Sequence, residues 1–157
     1  MEFTLTSSAF AEGAVIPIAH ACDGANRSPA LAWTGAPAGT ATFALIVDDP
    51  DAPAGTWVHW VLLDIPATLS ALSENVSKAD VPKGLGGAVH GENTTRETGY
   101  EGPCPPPGPA HRYFFKLYAL DKKLGLKAGA TRRDVERAME THVLATAQLM
   151  GRYSRRR

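Results

Sequence analysis

The chain has 157 residues, enough for one domain with a buried core and short for two. Its 44% hydrophobic and 20% charged residues describe an ordinary soluble composition, and no apolar run is long enough to span a bilayer. Sixteen basic residues balance sixteen acidic ones, so no global field attracts nucleic acid or an anionic membrane. The exception is local: Arg152, Arg155, Arg156 and Arg157 crowd the last six residues, which reads as a solubilising tail over 154–157 following a single domain over 1–153.

In chain order, the N-terminus carries Glu2 and no apolar h-region, so a secretory signal is not expected and the expected location is cytoplasmic. Cys22 and Cys104 are too few for a disulfide scaffold. In a reducing compartment they are expected as two free thiols beside a pocket.

Glycine and proline account for 27 residues and are spread along the chain, separating short apolar runs. This pattern predicts a mostly β fold of sandwich or barrel type. Thr42–Val47, Trp57–Ile65 and Tyr113–Leu120 are nearly continuous in apolar residues, as expected of strands covered on both faces. Period-two counting places His59 on one face with Trp57, Val61 and Leu63, and His111 with Tyr113, Phe115 and Leu117. The stretch Lys78–Ala110 is polar and glycine-rich and reads as a long functional or mobile loop. Thr131 and Asp134 form a capping-box start. From there Val135, Ala138, Met139, His142, Thr146, Leu149 and Met150 recur at helical spacing, predicting a C-terminal helix of roughly 18 residues ending at Gly151. His142 is expected on its buried stripe. His20 and His90 show no anchoring pattern.

Two proline-rich loops carry the chemistry. Asp48-Asp49-Pro50-Asp51-Ala52-Pro53 leads into Trp57-Val58-His59-Trp60. Gly102-Pro103-Cys104-Pro105-Pro106-Pro107-Gly108-Pro109, with five prolines in eight residues, leads into His111-Arg112-Tyr113. Prolines fix the backbone, and strands fix where side chains point. The aspartate cluster also fits a plain turn, because Asp-Pro steps favour turns and aspartates satisfy local N–H groups. But Asp49 follows a buried strand, and a buried carboxylate needs a partner, for which His59 is the candidate. His111 and Tyr113 point the same way, with Arg112 opposite. The second loop joins a strand directly, which argues against a free polyproline ligand. The sequence lacks G-x-S-x-G, G-x-G-x-x-G, P-loop, H-E-x-x-H and C-x-x-C motifs.

These motifs resemble the D-P-D-A-P signature of the phosphatidylethanolamine-binding proteins, the family that includes the Raf kinase inhibitor proteins. Cys22-Asp23-Gly24 with Asn26-x-Ser28-Pro29-x-Leu31-x-Trp33, Tyr100-x-Gly102-Pro103-Cys104, and Gly151-x-Tyr153 are similar to its bacterial and archaeal branch. The likeness runs from about Phe3 to Tyr153. It implies an antiparallel β-sandwich with peripheral helices and a small anion pocket. Asp49, His59, His111 and Tyr113 fall on the pocket positions and Pro103 on the adjoining loop, with Pro50, Asp51, Pro53 and Cys104 as supporting loop residues. It also implies cis bonds before Pro50 and Pro53.

Two imidazoles and a phenol can donate to phosphate or carboxylate oxygens, while Asp49 can orient an imidazole or accept from an ammonium group. Protonated histidines would strengthen anion binding as pH falls through roughly 7 to 6. The expected function is binding of a small anion, phosphate or a phosphorylated headgroup, without turnover and without a cofactor or metal. Asp49, His59 and His111 as a metal triad, or His59 as a hydrolytic base, are weaker readings because prolines crowd the approach and no nucleophile is assigned. The competing reading is an interaction protein whose pocket rim docks a kinase or protease. No nucleic-acid partner and no stable membrane insertion are expected. Trp57, Trp60, Phe114 and Tyr118 exceed the evident needs of one core, which predicts a homodimer.

Overall fold

The computed structural model describes residues 2–155, so Arg156 and Arg157 of the basic tail lie outside the described residues. Its strands are β1 (Thr4–Thr6), β2 (Leu31–Thr34), β3 (Thr42–Asp49), β4 (Trp57–Pro66), β5 (Ala71–Leu72), β6 (Val89–His90), β7 (His111–Leu120) and β8 (Val143–Tyr153), with a short 3-10 turn at Ile18–His20 and an α-helix, α1 (Arg132–Met139), before the last strand. They form a three-stranded sheet ordered β1-β2-β5 and a five-stranded sheet ordered β6-β4-β3-β7-β8, with every strand pairing antiparallel. The main core lies between the sheets, where Leu5, Leu31, Trp33 and Leu72 meet Phe43, Leu45, Trp60, Leu62, Phe115 and Leu117.

The outer face of the larger sheet is covered too. Ala44, Ile46, Val58, Val61 and Leu63 pack there with Val135 and Met139 of α1. This double coverage explains why all eight residues of β3 are buried and why the central strands read as unbroken apolar runs. Each fully buried Leu, Ile or Phe contributes about 1.5–3 kcal/mol of transfer free energy, so these three strands carry much of the fold.

Two bulges reset the alternation of β4. Val47 pairs with Trp60 but Asp48 with Val58, leaving His59 as an extra residue. A second irregularity between Phe43 and Leu45 accommodates Asp64, at φ 57°. Val61 and Leu63 consequently face the helix while Trp60 and Leu62 face the sandwich core. The period-two expectation that His59 shares a face with Val61 and Leu63 is therefore corrected. His59 turns toward Tyr113 on the sandwich side, the ring centroids 5.2 Å apart.

The predicted 18-residue helix is also corrected. The capping box at Thr131 and Asp134 is present, but α1 ends at Met139, and Thr141 turns the chain at φ 66° into β8. From there Ala147, Leu149, Gly151 and Tyr153 are buried at every second position, with exposed Gln148 and Arg152 among the residues between them. The i, i+2 pattern inside the stretch outweighs the coincidental three- and four-residue spacings. Gly151 has a steric reason as well, since a Cβ there would sit 2.5 Å from Ile16 Cγ1. His142 lies outside the helix, half-buried, and pairs with Asp121 at 2.8 Å.

The Lys78–Ala110 stretch is anchored more firmly than its composition suggests. β6 adds to the sheet edge, and Ala88, His90, Asn93 and Tyr100 are buried. Of the four surplus aromatics, Trp60 fills the core and Tyr118 packs against the helix-side cluster. Phe114 lies under Arg112 and Lys116, and Trp57 remains partly exposed.

His90 is fully buried, with Nδ1 bonded to the Ala79 carbonyl at 2.7 Å and Nε2 accepting from Trp60 Nε1 at 3.0 Å. A carbonyl only accepts, so Nδ1 carries the hydrogen, and protonating Nε2 would break the bond from Trp60. Burial lowers the pKa of His90 below its usual 6.5, outweighing its hydrogen bond to Ala79. The unfolded chain therefore binds a proton that the folded chain refuses. The stability due to neutral His90 is complete above about pH 6.5 and is lost as pH falls below it. Urea unfolding midpoints should drop between about pH 7 and 5, and His90→Gln should flatten that slope because glutamine offers a donor and an acceptor without titrating. An unchanged slope in the variant would contradict this account.

Candidate functional site

The residues Asp48, Asp49 and Asp51 are sent in three directions. Strand alternation turns Asp48 to the helix side, where it accepts from Lys116 Nζ at 3.1 Å and lies 3.7 Å from Arg132. Asp49 points to the sandwich side, where its Oδ2 meets His111 Nδ1 at 2.7 Å while Oδ1 accepts from the Asp51 amide at 2.7 Å. Asp51 takes three hydrogen bonds from Arg112, from the backbone N–H at 2.9 Å, Nε at 2.9 Å and Nη2 at 2.8 Å. These bonds to Arg112, the side-chain ones foremost, pull the Asp51 carboxyl down to about 2. Neighbouring residues of β7 thus grip the first proline loop from both of its carboxylates. No described peptide bond is cis, so the bonds before Pro50 and Pro53 are trans, contrary to expectation. The loop is held by the Asx turn at Asp49 and the grip of His111 and Arg112.

The expected Asp49–His59 pair is likewise corrected. His59 Nδ1 bonds the Glu101 carbonyl at 2.6 Å, which ties β4 to the second proline loop. Burial lowers the pKa of His59, prevailing over the Glu101 hydrogen bond and the Asp49 charge. Glu101 gave no sequence signal beyond preceding Gly102-Pro103. Its side chain accepts from Asn26 Nδ2 at 3.0 Å, and Asn26 Oδ1 accepts from the Gly102 amide at 2.8 Å. Gly102 has no room for a side chain, because a Cβ would collide with the His20 carbonyl oxygen.

Between the loops lies a cavity of about 360 Å³. Asp49, Pro53, His59, Cys104, His111 and Tyr113 line it, joined by Trp57, Thr95 and Glu101. Of the remaining expected site residues, Pro50 and Asp51 are not among its lining. Pro103 stands buried behind the wall, its carbonyl accepting from the Cys22 amide at 3.0 Å. The Tyr113 hydroxyl is buried at the lining close to the Asp49 carboxylate, yet makes no hydrogen bond of good geometry to a described residue. Burial, followed by the Asp49 charge, raises its pKa, so it keeps its proton. Among the described residues no group of three or more His, Cys, Asp or Glu side chains converges as a metal site.

Cys22 and Cys104 form a disulfide that links sequence positions 82 residues apart, correcting the expectation of free thiols. Cys104 projects from the second proline loop toward Cys22, and the adjacent backbone bond from Cys22 to Pro103 fixes that approach. Beside it, Asp23 accepts from Tyr153 at 2.7 Å and pairs with Arg155 at 3.2 Å, so the tail is anchored through Arg155.

The phosphatidylethanolamine-binding protein family model matches residues 6–154. The chain belongs to this family. Among its relatives, a UPF0098 protein of Methanothermobacter thermautotrophicus is 49% identical over 96% of this chain and 98% of its own. A second, from Aquifex aeolicus, is 47% identical over 95% and 86% respectively. Among solved structures, Escherichia coli YbcL, described as a member of the mammalian phosphatidylethanolamine-binding protein family, superposes with a TM-score of 0.92. It is 35% identical, over 99% of this chain and 100% of YbcL. A Chlamydia trachomatis protein described as a homologue of phosphatidylethanolamine-binding protein gives a TM-score of 0.88 at 39% identity, over 98% and 97%.

The disulfide in this family member closes a long loop and is expected to stabilise the native chain by about 2–4 kcal/mol. Protein purified without reductant should show no reactive thiol, and dithiothreitol should lower its urea midpoint accordingly. Two titratable thiols in the untreated native protein would contradict the bridge.

Proposed function

We propose that this chain binds a small oxyanion, phosphate or a phosphorylated group, in the cavity between its two proline loops. The observation that carries this reading is the buried Tyr113 hydroxyl, which lies near Asp49 but makes no hydrogen bond of good geometry to a described residue, and whose ring stacks beside His111 on the cavity wall. A buried hydroxyl without a partner costs about 1–3 kcal/mol, and a ligand oxygen would recover that cost. Both Asp49 oxygens already accept hydrogen bonds, Oδ2 from His111 Nδ1 and Oδ1 from the Asp51 amide, which lessens their repulsion of an anion. The cavity size suits a small ligand or headgroup. Membership of a family named for binding phosphatidylethanolamine supports the same class of ligand.

Binding without turnover is the simpler reading of the wall, because its cysteine is tied in a disulfide and no nucleophile is assigned. A bridge of this kind persists in oxidising compartments, which weighs against the cytoplasmic expectation. No helix among the described residues is long and apolar enough to cross a membrane. The interaction reading, in which the rim docks a kinase or protease, draws on the partial exposure of Trp57 beside the cavity.

Isothermal titration with inorganic phosphate should give saturable binding. Tyr113→Phe should weaken it about tenfold while leaving the unfolding midpoint unchanged or slightly higher, because an unpartnered buried hydroxyl is removed. Absence of phosphate binding, or equal affinity in the variant, would sink the proposal.

A further inference from the structure

Three buried histidines, His20, His59 and His90, each bond a backbone carbonyl through Nδ1, His20 to that of Arg27 at 2.8 Å, and the last two differ in what their second nitrogen meets. His90 Nδ1 bonds the Ala79 carbonyl at 2.7 Å, and His59 Nδ1 bonds the Glu101 carbonyl at 2.6 Å. Since a carbonyl oxygen cannot donate, both rings carry their hydrogen on Nδ1, and in the neutral ring Nε2 presents a bare lone pair. In His90 that lone pair receives the indole N–H of Trp60 at 3.0 Å. In His59, whose residue is only 4% exposed, Nε2 receives no hydrogen bond from any described residue, and the ring forms part of the cavity wall.

We infer that His59 Nε2 serves as an acceptor for the pocket's ligand, so that the site selects oxyanions still carrying a proton, the P–OH of inorganic phosphate or of a phosphate monoester, over fully ionised ones. This rests on the anion-binding reading above and narrows its ligand class. The P–OH donates to His59 Nε2. A second ligand oxygen accepts from the Tyr113 hydroxyl, and His111, whose Nδ1 faces Asp49, stands beside it on the cavity wall. Sulfate and phosphodiesters have no proton to give near neutral pH and would set an oxygen lone pair against that of His59. Binding them through His59 would require protonating a ring whose burial opposes charge, although Asp49, Asp48 and Glu101 lie near it. A phosphodiester headgroup could satisfy His59 only through a separate donor such as an ammonium group.

The test is calorimetric titration of the unmodified protein at about pH 6 with inorganic phosphate, methyl phosphate, sulfate, dimethyl phosphate and glycerophosphoethanolamine. Phosphate and methyl phosphate should bind roughly 30-fold or more tightly than sulfate and dimethyl phosphate. Raising pH to about 8 strips the last proton from methyl phosphate but not from inorganic phosphate, so their affinity ratio should move toward phosphate. Taking the ratio cancels titration of the protein groups around the site, namely Asp48, Asp49, Asp51, Glu101, His111 and His59 itself.

Sulfate binding within about threefold of phosphate would overturn the inference while leaving the anion site standing. Glycerophosphoethanolamine binding as tightly as methyl phosphate would overturn it in favour of an ammonium donor. Binding of none of the five would overturn both readings. His59→Asn, whose amide can turn an N–H into the cavity, should narrow the phosphate-to-sulfate ratio by raising sulfate affinity. Should that variant fail to fold, imidazole nitrogen NMR of the unmodified protein decides: a hydrogen on Nδ1 and a bare Nε2 for His59 support the inference, and the reverse tautomer refutes it.

Discussion

The grip of His111 and Arg112 on Asp49 and Asp51 is the interaction on which the site depends. Two consecutive residues at the start of β7 point to opposite sides of the strand, and each takes one carboxylate of the same turn. The inner contact is buried and sets an imidazole on the cavity wall. The outer one is partly exposed, so solvent screening limits what it contributes to stability. Its value is geometric: a loop with two prolines and an Asx turn, gripped at two points, keeps the cavity mouth from collapsing onto His59 and Tyr113.

The opposite wall is built by other means. The Gly102 amide and the Glu101 side chain are both bonded to Asn26, the Glu101 carbonyl is bonded to His59, and Cys104 is bridged to Cys22. These contacts join residues far apart in sequence, so the second proline loop is fastened to the N-terminal segment and to β4 rather than to its own neighbours. The bulge at His59 completes the arrangement by turning an imidazole toward the cavity while Trp60 beside it still fills the core. A rigid wall with some of its polar atoms unpaired is what a binding pocket requires.

Much of this was legible in the residues. The three central strands announced themselves as apolar runs because both faces of the larger sheet are covered, and the proline loops with their flanking aspartates and histidines marked the cavity. The capping box located the start of α1. What failed did so for identifiable reasons. Period-two counting cannot see a bulge, so it misassigned the face of His59. Alanine, threonine and methionine between 138 and 150 satisfy helical and strand spacing alike, which hid β8. The partners of Asp49 and His59, the pairing of Cys22 with Cys104, and the burial of His20 and His90 depend on contacts between residues distant in sequence. Glu101 acts through its backbone carbonyl, a group that every residue possesses, and so no side-chain pattern could single it out.

Whether the two loops form one preformed oxyanion pocket around His59, His111 and Tyr113 is decided by amide and side-chain NMR of the labelled protein during titration with inorganic phosphate. The account predicts saturable shifts concentrated at Asp49, His59, Glu101, His111 and Tyr113, with the rest of the sandwich undisturbed. Shifts that grow linearly without saturation, or that cluster on a different face of the molecule, would contradict it.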